Sequence, residues 1–240
     1  MKILGVRVDN LSKTEILEKI EYFLKEEEFH QIATINPEFI LEAQKDAKFK
    51  NILNNCDLNI ADGIGIRFAF WKKGEKLKCR LAGADLLDEI LKIADANNFS
   101  IFLAANEDGL SSWEETADAI RLIYPGIKIG GLNLDKVAIV EDNYELRNMN
   151  YEIVICNFGA PEQEKFIHSL KNQKSGKIRL AIGVGGSFDF LTRKVKRAPK
   201  FARNFGLEWL WRLIQQPKRI KRIINATIIF PAKILLKKHS

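Results

Sequence analysis

The chain predicts an α/β fold, a mostly parallel sheet flanked by helices, followed by a basic helical C-terminal appendage. Three observations carry this. Short apolar runs alternate with helix-patterned segments roughly every 25 residues, as βαβ units do. Several runs end in turn-forming residues, as at Asn36-Pro37, Asp62-Gly63 and Gly185-Gly186. Charge then changes abruptly: from Arg193 onward fourteen lysines and arginines face the single acid Glu208, a local +13 that leaves −6 on the first 192 residues out of a total of +7.

In order along the chain, Met1 to Asp9 reads as a first strand. Ser12-Lys13-Thr14-Glu15 is a capping-box pattern, and the apolar positions Ile16, Leu17, Ile20, Phe23 and Leu24 mark the helix behind it. Ile32 to Ile35 is a short strand, and Pro37 suits the first turn of a helix running to about Asn51. Cys56 to Ile60 is the next strand. Ile101 to Ala104 precedes a helix around Trp113 to Ile123, and Ile127 to Ile129 precedes another. Ile153 to Cys156 leads to a helix from Pro161. Ile178 to Val184 ends in glycines, with Phe188-Asp189 following and no obvious helix. Residues 1–195 are thus expected to form the core and 196–240 the appendage.

Composition excludes several classes. No 18-residue uncharged apolar run is present, so no segment is expected to span a bilayer. The early charges Lys2, Arg7 and Asp9 do not suit a signal peptide. Cys56, Cys79 and Cys156 are odd in number and lack a C-x-x-C spacing, and His30, His168 and His239 are scattered. Neither a disulfide framework nor a metal site is expected, and a cytosolic location follows. The basic tail calls for an anionic partner: phosphate-bearing lipid, a membrane surface or nucleic acid.

In parallel α/β folds functional residues gather at the carboxyl ends of strands. Asp62 stands at such an end and suits a general base; helix capping near Gly63 explains it equally well. Thr34, Asn36 and Glu38 alternate across another strand-to-helix junction, where turn chemistry is the bland alternative. Gly159-Ala160-Pro161-Glu162-Gln163-Glu164 opens a helix whose free N–H groups suit an anion, and Gln163 points to a donor contact. Arg212, Arg219 and Arg222 would share one face of an uninterrupted helix and could clamp a diphosphate, although Pro217 intervenes. The bland alternative there is a solvated basic helix. The apolar Ile223 to Phe230 beside these arginines favours a helix lying on anionic lipid. Trp209 and Trp211 are expected to pack on the body. The chain has no D-x-D triplet, no P-loop and no convincing dinucleotide fingerprint. A diphosphate would then be neutralised by cationic side chains and backbone N–H groups.

Taken in order, these motifs resemble the WecG/TagA/CpsF glycosyltransferase family, also called glycosyltransferase family 26. The resemblance runs through Thr34-x-Asn36-x-Glu38, Asp62-Gly63-x-Gly65, Arg80-x-x-Gly83-x-Asp85-Leu86 and Tyr124-Pro125-Gly126. It continues in Gly159-Ala160-Pro161-x-Gln163-Glu164, Gly183-Val184-Gly185-Gly186-x-Phe188-Asp189 and Arg197-Ala198-Pro199. It closes on Gly206-Leu207-Glu208-Trp209-Leu210-x-Arg212-Leu213, Pro217, Arg219 and Arg222. It implies a Rossmann-like core and inverting transfer from a UDP-sugar, often of N-acetylmannosamine. The implied acceptor is N-acetylglucosamine on undecaprenyl diphosphate, in the synthesis of wall teichoic acid or another surface polymer.

By resemblance Asp62 is the base and Thr34 and Asn36 stand beside it. Arg80 and Gln163 contact substrate, and Arg212, Arg219 and Arg222 meet a diphosphate. No cofactor or metal is implied, and the protein would lie on the inner face of the membrane; self-association stays open. The chain departs from the family pattern at Leu103 to Gly109 and at Leu191 to Lys196, where glycines are usual. Two other readings remain: a nucleic-acid-binding module, against which the tail's long aliphatics count, and a nucleotide-dependent oxidoreductase, against which the missing fingerprint counts.

Overall fold

A computed structural model describes residues 1–135, 150–172 and 177–236. The helix expected after Ile129 falls largely in 136–149, and Lys237-Lys238 in 237–240; both lie outside the described residues.

The expected first strand is instead a small antiparallel hairpin, β1 (Lys2–Ile3) and β2 (Val6–Arg7), apart from the main sheet. Leu4 and Gly5 turn it with positive φ, 47° and 82°. Helix α1 (Lys13–Lys25) starts at the capping box: Ser12 accepts from the Glu15 N–H, and the Glu15 carboxylate accepts from the Ser12 N–H at 2.7 Å. Strand β3 (His30–Ile35) follows. The single helix expected from Pro37 is two, α2 (Pro37–Glu42) and α3 (Ala47–Asn55). Asp46 recaps the chain by accepting from the Phe49 N–H at 2.9 Å, and the bend lets Phe39 and Phe49 meet with ring centroids 5.8 Å apart. Propensity alone does not see that gain.

Strand β4 (Leu58–Ala61) leads into α4 (Ile64–Lys72), and α5 (Gly83–Asn97) precedes β5 (Ile101–Asn106). Then come α6 (Trp113–Arg121), β6 (Ile129–Leu134), β7 (Ile153–Cys156), α7 (Glu162–Asn172) and β8 (Leu180–Gly183). The strand expected at Ile127–Ile129 is therefore shifted, with its centre past Ile129. The six strands β4-β3-β8-β7-β5-β6 form one sheet, parallel throughout.

Successive strand residues face opposite layers. Ile32, Ile153 and Ile155 pack with Ile16 and Ile20 of α1 and Leu86 and Ile90 of α5. Ala33 and Ile35 pack with α2 to α4, while Val154 and Cys156 pack with Phe166 and Ile167 of α7. Both faces are covered, which is why these strands read as unbroken apolar runs. Among the described residues no helix is long and apolar enough to cross a membrane.

The glycines after β8 lead into a 3-10 turn (Gly185–Ser187) and a one-turn helix, α8 (Phe188–Leu191). Beyond it lie α9 (Lys200–Asn204) and α10 (Glu208–Gln215). Pro217 interrupts the tail as its chemistry dictates: Gln216 leaves helical geometry (φ −132°, ψ 74°) before a 3-10 turn at Pro217–Arg219. Helix α11 (Ile220–Ile224), a π-turn (Asn225–Ile229) and α12 (Phe230–Leu236) finish the described chain. Several contacts bind the tail to the core, two of them away from the strand-end cleft. Asp85 on α5 pairs with Arg197 at 2.7 Å and Arg203 at 3.2 Å. Phe230, fully buried, sits over Gly65, where an added Cβ would lie 3.3 Å from its ring.

Candidate active site

The carboxyl ends of β3, β4, β5, β7 and β8 rim one cavity of about 390 Å³, and the tail closes its open side. It is lined by all eight residues singled out from sequence: Thr34, Asn36, Asp62, Arg80, Gln163, Arg212, Arg219 and Arg222. Their surroundings differ sharply.

Asp62 follows β4, its N–H donating to Ile35 O at 2.8 Å and so extending the strand by one bond. The residue at the cap of α4 is Gly63 (φ 85°), with no side-chain cap, so the capping alternative for Asp62 is not what the structure shows. Burial and, after it, the charge of Glu208 raise the carboxyl pKa against Arg80, Arg212 and the Gly63 N–H, and the balance lies at about 6. Such a group is mostly ionised at neutral pH yet basic enough to take a proton.

Asn36 is the N-cap of α2, its Oδ1 accepting from the N–H groups of Glu38 (2.9 Å) and Phe39 (3.1 Å). Thr34 is buried at the end of β3, and Gly83 at the start of α5 leaves room beside its hydroxyl. Arg80 donates through Nη2 to Arg203 O at 2.6 Å, which ties the cavity wall to the tail.

Gln163 is buried, and its amide is committed within the protein. Oε1 accepts from the N–H groups of Gly159 and Gly185, both at 3.1 Å, and Nε2 donates to Glu164 at 2.6 Å. It braces the glycine turns after β7 and β8, and Gly183 is required beneath it: an added Cβ would stand 2.3 Å from its side chain. Glu164 is fully buried, and burial lifts its carboxyl to about 8.

The arginines converge despite the break at Pro217. Arg212 lies over the Phe190 ring, 4.5 Å from its centroid. An added Cβ at Gly186 would meet Nη2 of both Arg212 and Arg219 at 3.8 Å and Asp189 at 3.4 Å, so the three side chains meet at that glycine. Burial, with the neighbouring charges of Arg212 and Arg222, lowers Arg219 to about 10, and burial lowers Arg212 as well. Crowded cations half removed from water gain from an anion between them. Arg222 is held differently, Nε and Nη2 forking onto Glu38 at 2.8 and 2.6 Å, which raises its pKa.

Sequence reasoning gave no separate role to Glu208, Asp189 or Phe190. Glu208 had one signal, as the lone acid in the basic tail; the stacking of Phe190 on Arg212 had none. Trp209 lines the cavity, whereas Trp211 donates through Nε1 to Lys196 O at 3.0 Å, a bond within the appendage and not to the body. No cluster of three or more His, Cys, Asp or Glu suited to a metal occurs among the described residues.

A parallel α/β core with a strand-end cleft, a basic carboxylate on one wall and arginines on another, is the build of an α/β group-transfer enzyme. Comparison narrows the class. The chain matches the Glycosyl transferase WecG/TagA/CpsF family over residues 1–240, and it belongs to that family. It is 33% identical over 199 residues, 81% of this chain and 75% of the relative, to a Bacillus subtilis protein. That protein is named N-acetylglucosaminyldiphosphoundecaprenol N-acetyl-beta-D-mannosaminyltransferase. A Staphylococcus aureus protein of the same name is 32% identical over 245 residues, covering 99% of this chain and 92% of the relative.

Proposed function

We propose that the protein is an inverting, metal-independent hexosyltransferase that moves N-acetylmannosamine or a related hexose from a UDP donor. The acceptor would be N-acetylglucosamine on undecaprenyl diphosphate, for wall teichoic acid or another surface polymer. The sugar and acceptor rest on the names of the relatives. The mechanism rests on one observation: Asp62, pKa about 6, shares a cavity with Arg212 and Arg219, which meet at Gly186.

In this reading the acceptor hydroxyl loses its proton to Asp62 as its oxygen attacks the anomeric carbon. The bond from that carbon to the donor diphosphate breaks on the opposite face, and UDP leaves with the electron pair. Arg212 and Arg219 stabilise the charge gathering on the diphosphate. Gln163 supports them by bracing the Gly159 and Gly185 turns, and Arg80 by joining cavity wall to tail. Thr34 and Asn36 stand beside the base, and Arg222, steadied by Glu38, lines the acceptor side. The segment 196–240 serves as an appendage that docks on an anionic membrane at the cytoplasmic face, where the lipid-linked acceptor lies.

The test is a panel of UDP-sugars with a short-chain lipid-diphosphate acceptor, run with and without chelator. One UDP-sugar should be consumed equally in both conditions. General-base assistance is worth about 10²–10⁴-fold, so Asp62→Asn should lose at least about a hundredfold in kcat with its fold intact. A near-wild-type rate in that variant removes Asp62 from the role, and activity lost to chelation refutes the metal-free reading.

A further inference from the structure

We infer that helix α4 and the lysine-rich turn after it form a second lipid-docking limb, carried by the core and continuous with the tail. It takes an anionic bilayer surface. The inference rests on the lipid-linked acceptor proposed above, but its readout is separate.

Sequence reasoning confined membrane contact to the appendage, because residues 1–192 sum to −6. Within that acidic body, residues 67–80 hold Arg67, Lys72, Lys73, Lys76, Lys78 and Arg80 against Glu75 alone. Arg67, Lys72 and Lys76 are exposed and hold no ion pair among the described residues. The island is aromatic as well as basic. Helix α4 buries Gly65, Ile66, Ala69 and Phe70, while Ile64, Arg67, Phe68 and Trp71 follow i, i+3, i+4, i+7 spacing along the other side. Trp71 is 70% exposed, its ring 5.8 Å from that of Phe68, and Lys72 and Lys73 stand immediately after it. Tryptophan flanked by lysine suits the boundary between headgroups and acyl chains: the ring sits at that level while the ammonium groups meet lipid phosphates.

Continuity with the tail is physical. Gly206 leads into α10 and lies against Ile64, where an added Cβ would stand 3.0 Å from its Cδ1. Phe230 of α12 seals Gly65 on the same helix. The exposed tail residues Leu207, Ile228 and Leu236 therefore belong to segments docked on α4. Ile64 itself also lines the cavity, so the stripe begins at the mouth of the cleft. A second copy fits this surface poorly, since a two-fold contact would set Arg67, Lys72 and Lys76 against their own images. Nucleic acid would leave the aliphatic part of the stripe uncovered.

The test uses the full chain with vesicles of phosphatidylcholine, with and without phosphatidylglycerol. Wild type should bind the anionic vesicles with a blue shift in tryptophan emission, and Trp71→Phe should reduce that shift. Trp71→Ser with Lys72→Glu should weaken binding about tenfold or more, each basic residue near an anionic surface being worth roughly a factor of five. Turnover of a short-chain water-soluble acceptor should be unchanged, while turnover of vesicle-borne acceptor falls. Equal vesicle affinity in wild type and double variant overturns the inference. So does loss, in the double variant, of a dimer or of a salt-sensitive RNA complex that wild type forms. If no UDP-sugar is turned over by any form, the proposed reaction fails, while vesicle affinity still decides this limb.

Discussion

At the scale of single residues, the proposed chemistry turns on how Asp62 is balanced. Burial and Glu208 push its proton affinity up; Arg80 and Arg212 pull it down, and the result lies near 6. A base must be ionised to act, so kcat/KM should fall as pH drops through about 6. Glu208→Gln removes a charge that raises the pKa, so the acidic limb should move to lower pH. A pH profile of kcat/KM in wild type and variant measures this, and an unmoved limb means Glu208 does not act on the base. Gln163 teaches a different lesson. Its type and position pointed to a ligand contact, yet its amide already spans two glycine turns and Glu164. A polar residue in a motif can serve a cavity by shaping its rim.

Among the elements, local signals were readable where capping chemistry was decisive and failed where packing decided. The box at Ser12-Glu15 starts α1, and Pro37 opens α2. The break between α2 and α3 was hidden, because its reward is the contact of Phe39 with Phe49 across the bend. Pro217 broke the tail as its missing N–H requires, and Arg212 and Arg219 converge through the fold of the tail instead of along one helical face. The join of α5 to α9 rests on Asp85, partly exposed and paired with Arg197 and Arg203. Exposed pairs are worth about 0–1 kcal/mol each. Asp85→Ala should therefore change global stability by no more than about 2 kcal/mol while loosening the tail. Hydrogen exchange should rise in 197–206 and stay constant in the core sheet; unchanged exchange in 197–206 would show that the latch carries no load.

Considered whole, the molecule is an acidic α/β body whose cleft is completed by a basic tail. Glu208, Arg212, Arg219 and Arg222 all come from that tail. Ending the chain at Phe205 removes them and uncovers the Gly65 surface that Phe230 seals. Such a truncation should abolish turnover of lipid-linked acceptor and weaken vesicle binding, measured by radiolabel transfer and co-sedimentation. Full activity in the truncated protein would contradict a shared cleft.

The order of strands and helices, the parallel sheet and the family were legible because each is written in contiguous residues: apolar runs, turn residues after them, and motifs in fixed succession. Of the eight proposed site residues, Thr34, Asn36 and Asp62 reach the cleft on strand ends, while Arg212, Arg219 and Arg222 enter it from the tail. What each does was decided by neighbours remote in the chain. Asp62 takes its proton affinity partly from Glu208, Gln163 spends its amide on Gly159 and Gly185, and Arg222 is held by Glu38. Such couplings depend on distance and burial across segments that meet only after folding, and no local pattern of residues encodes them.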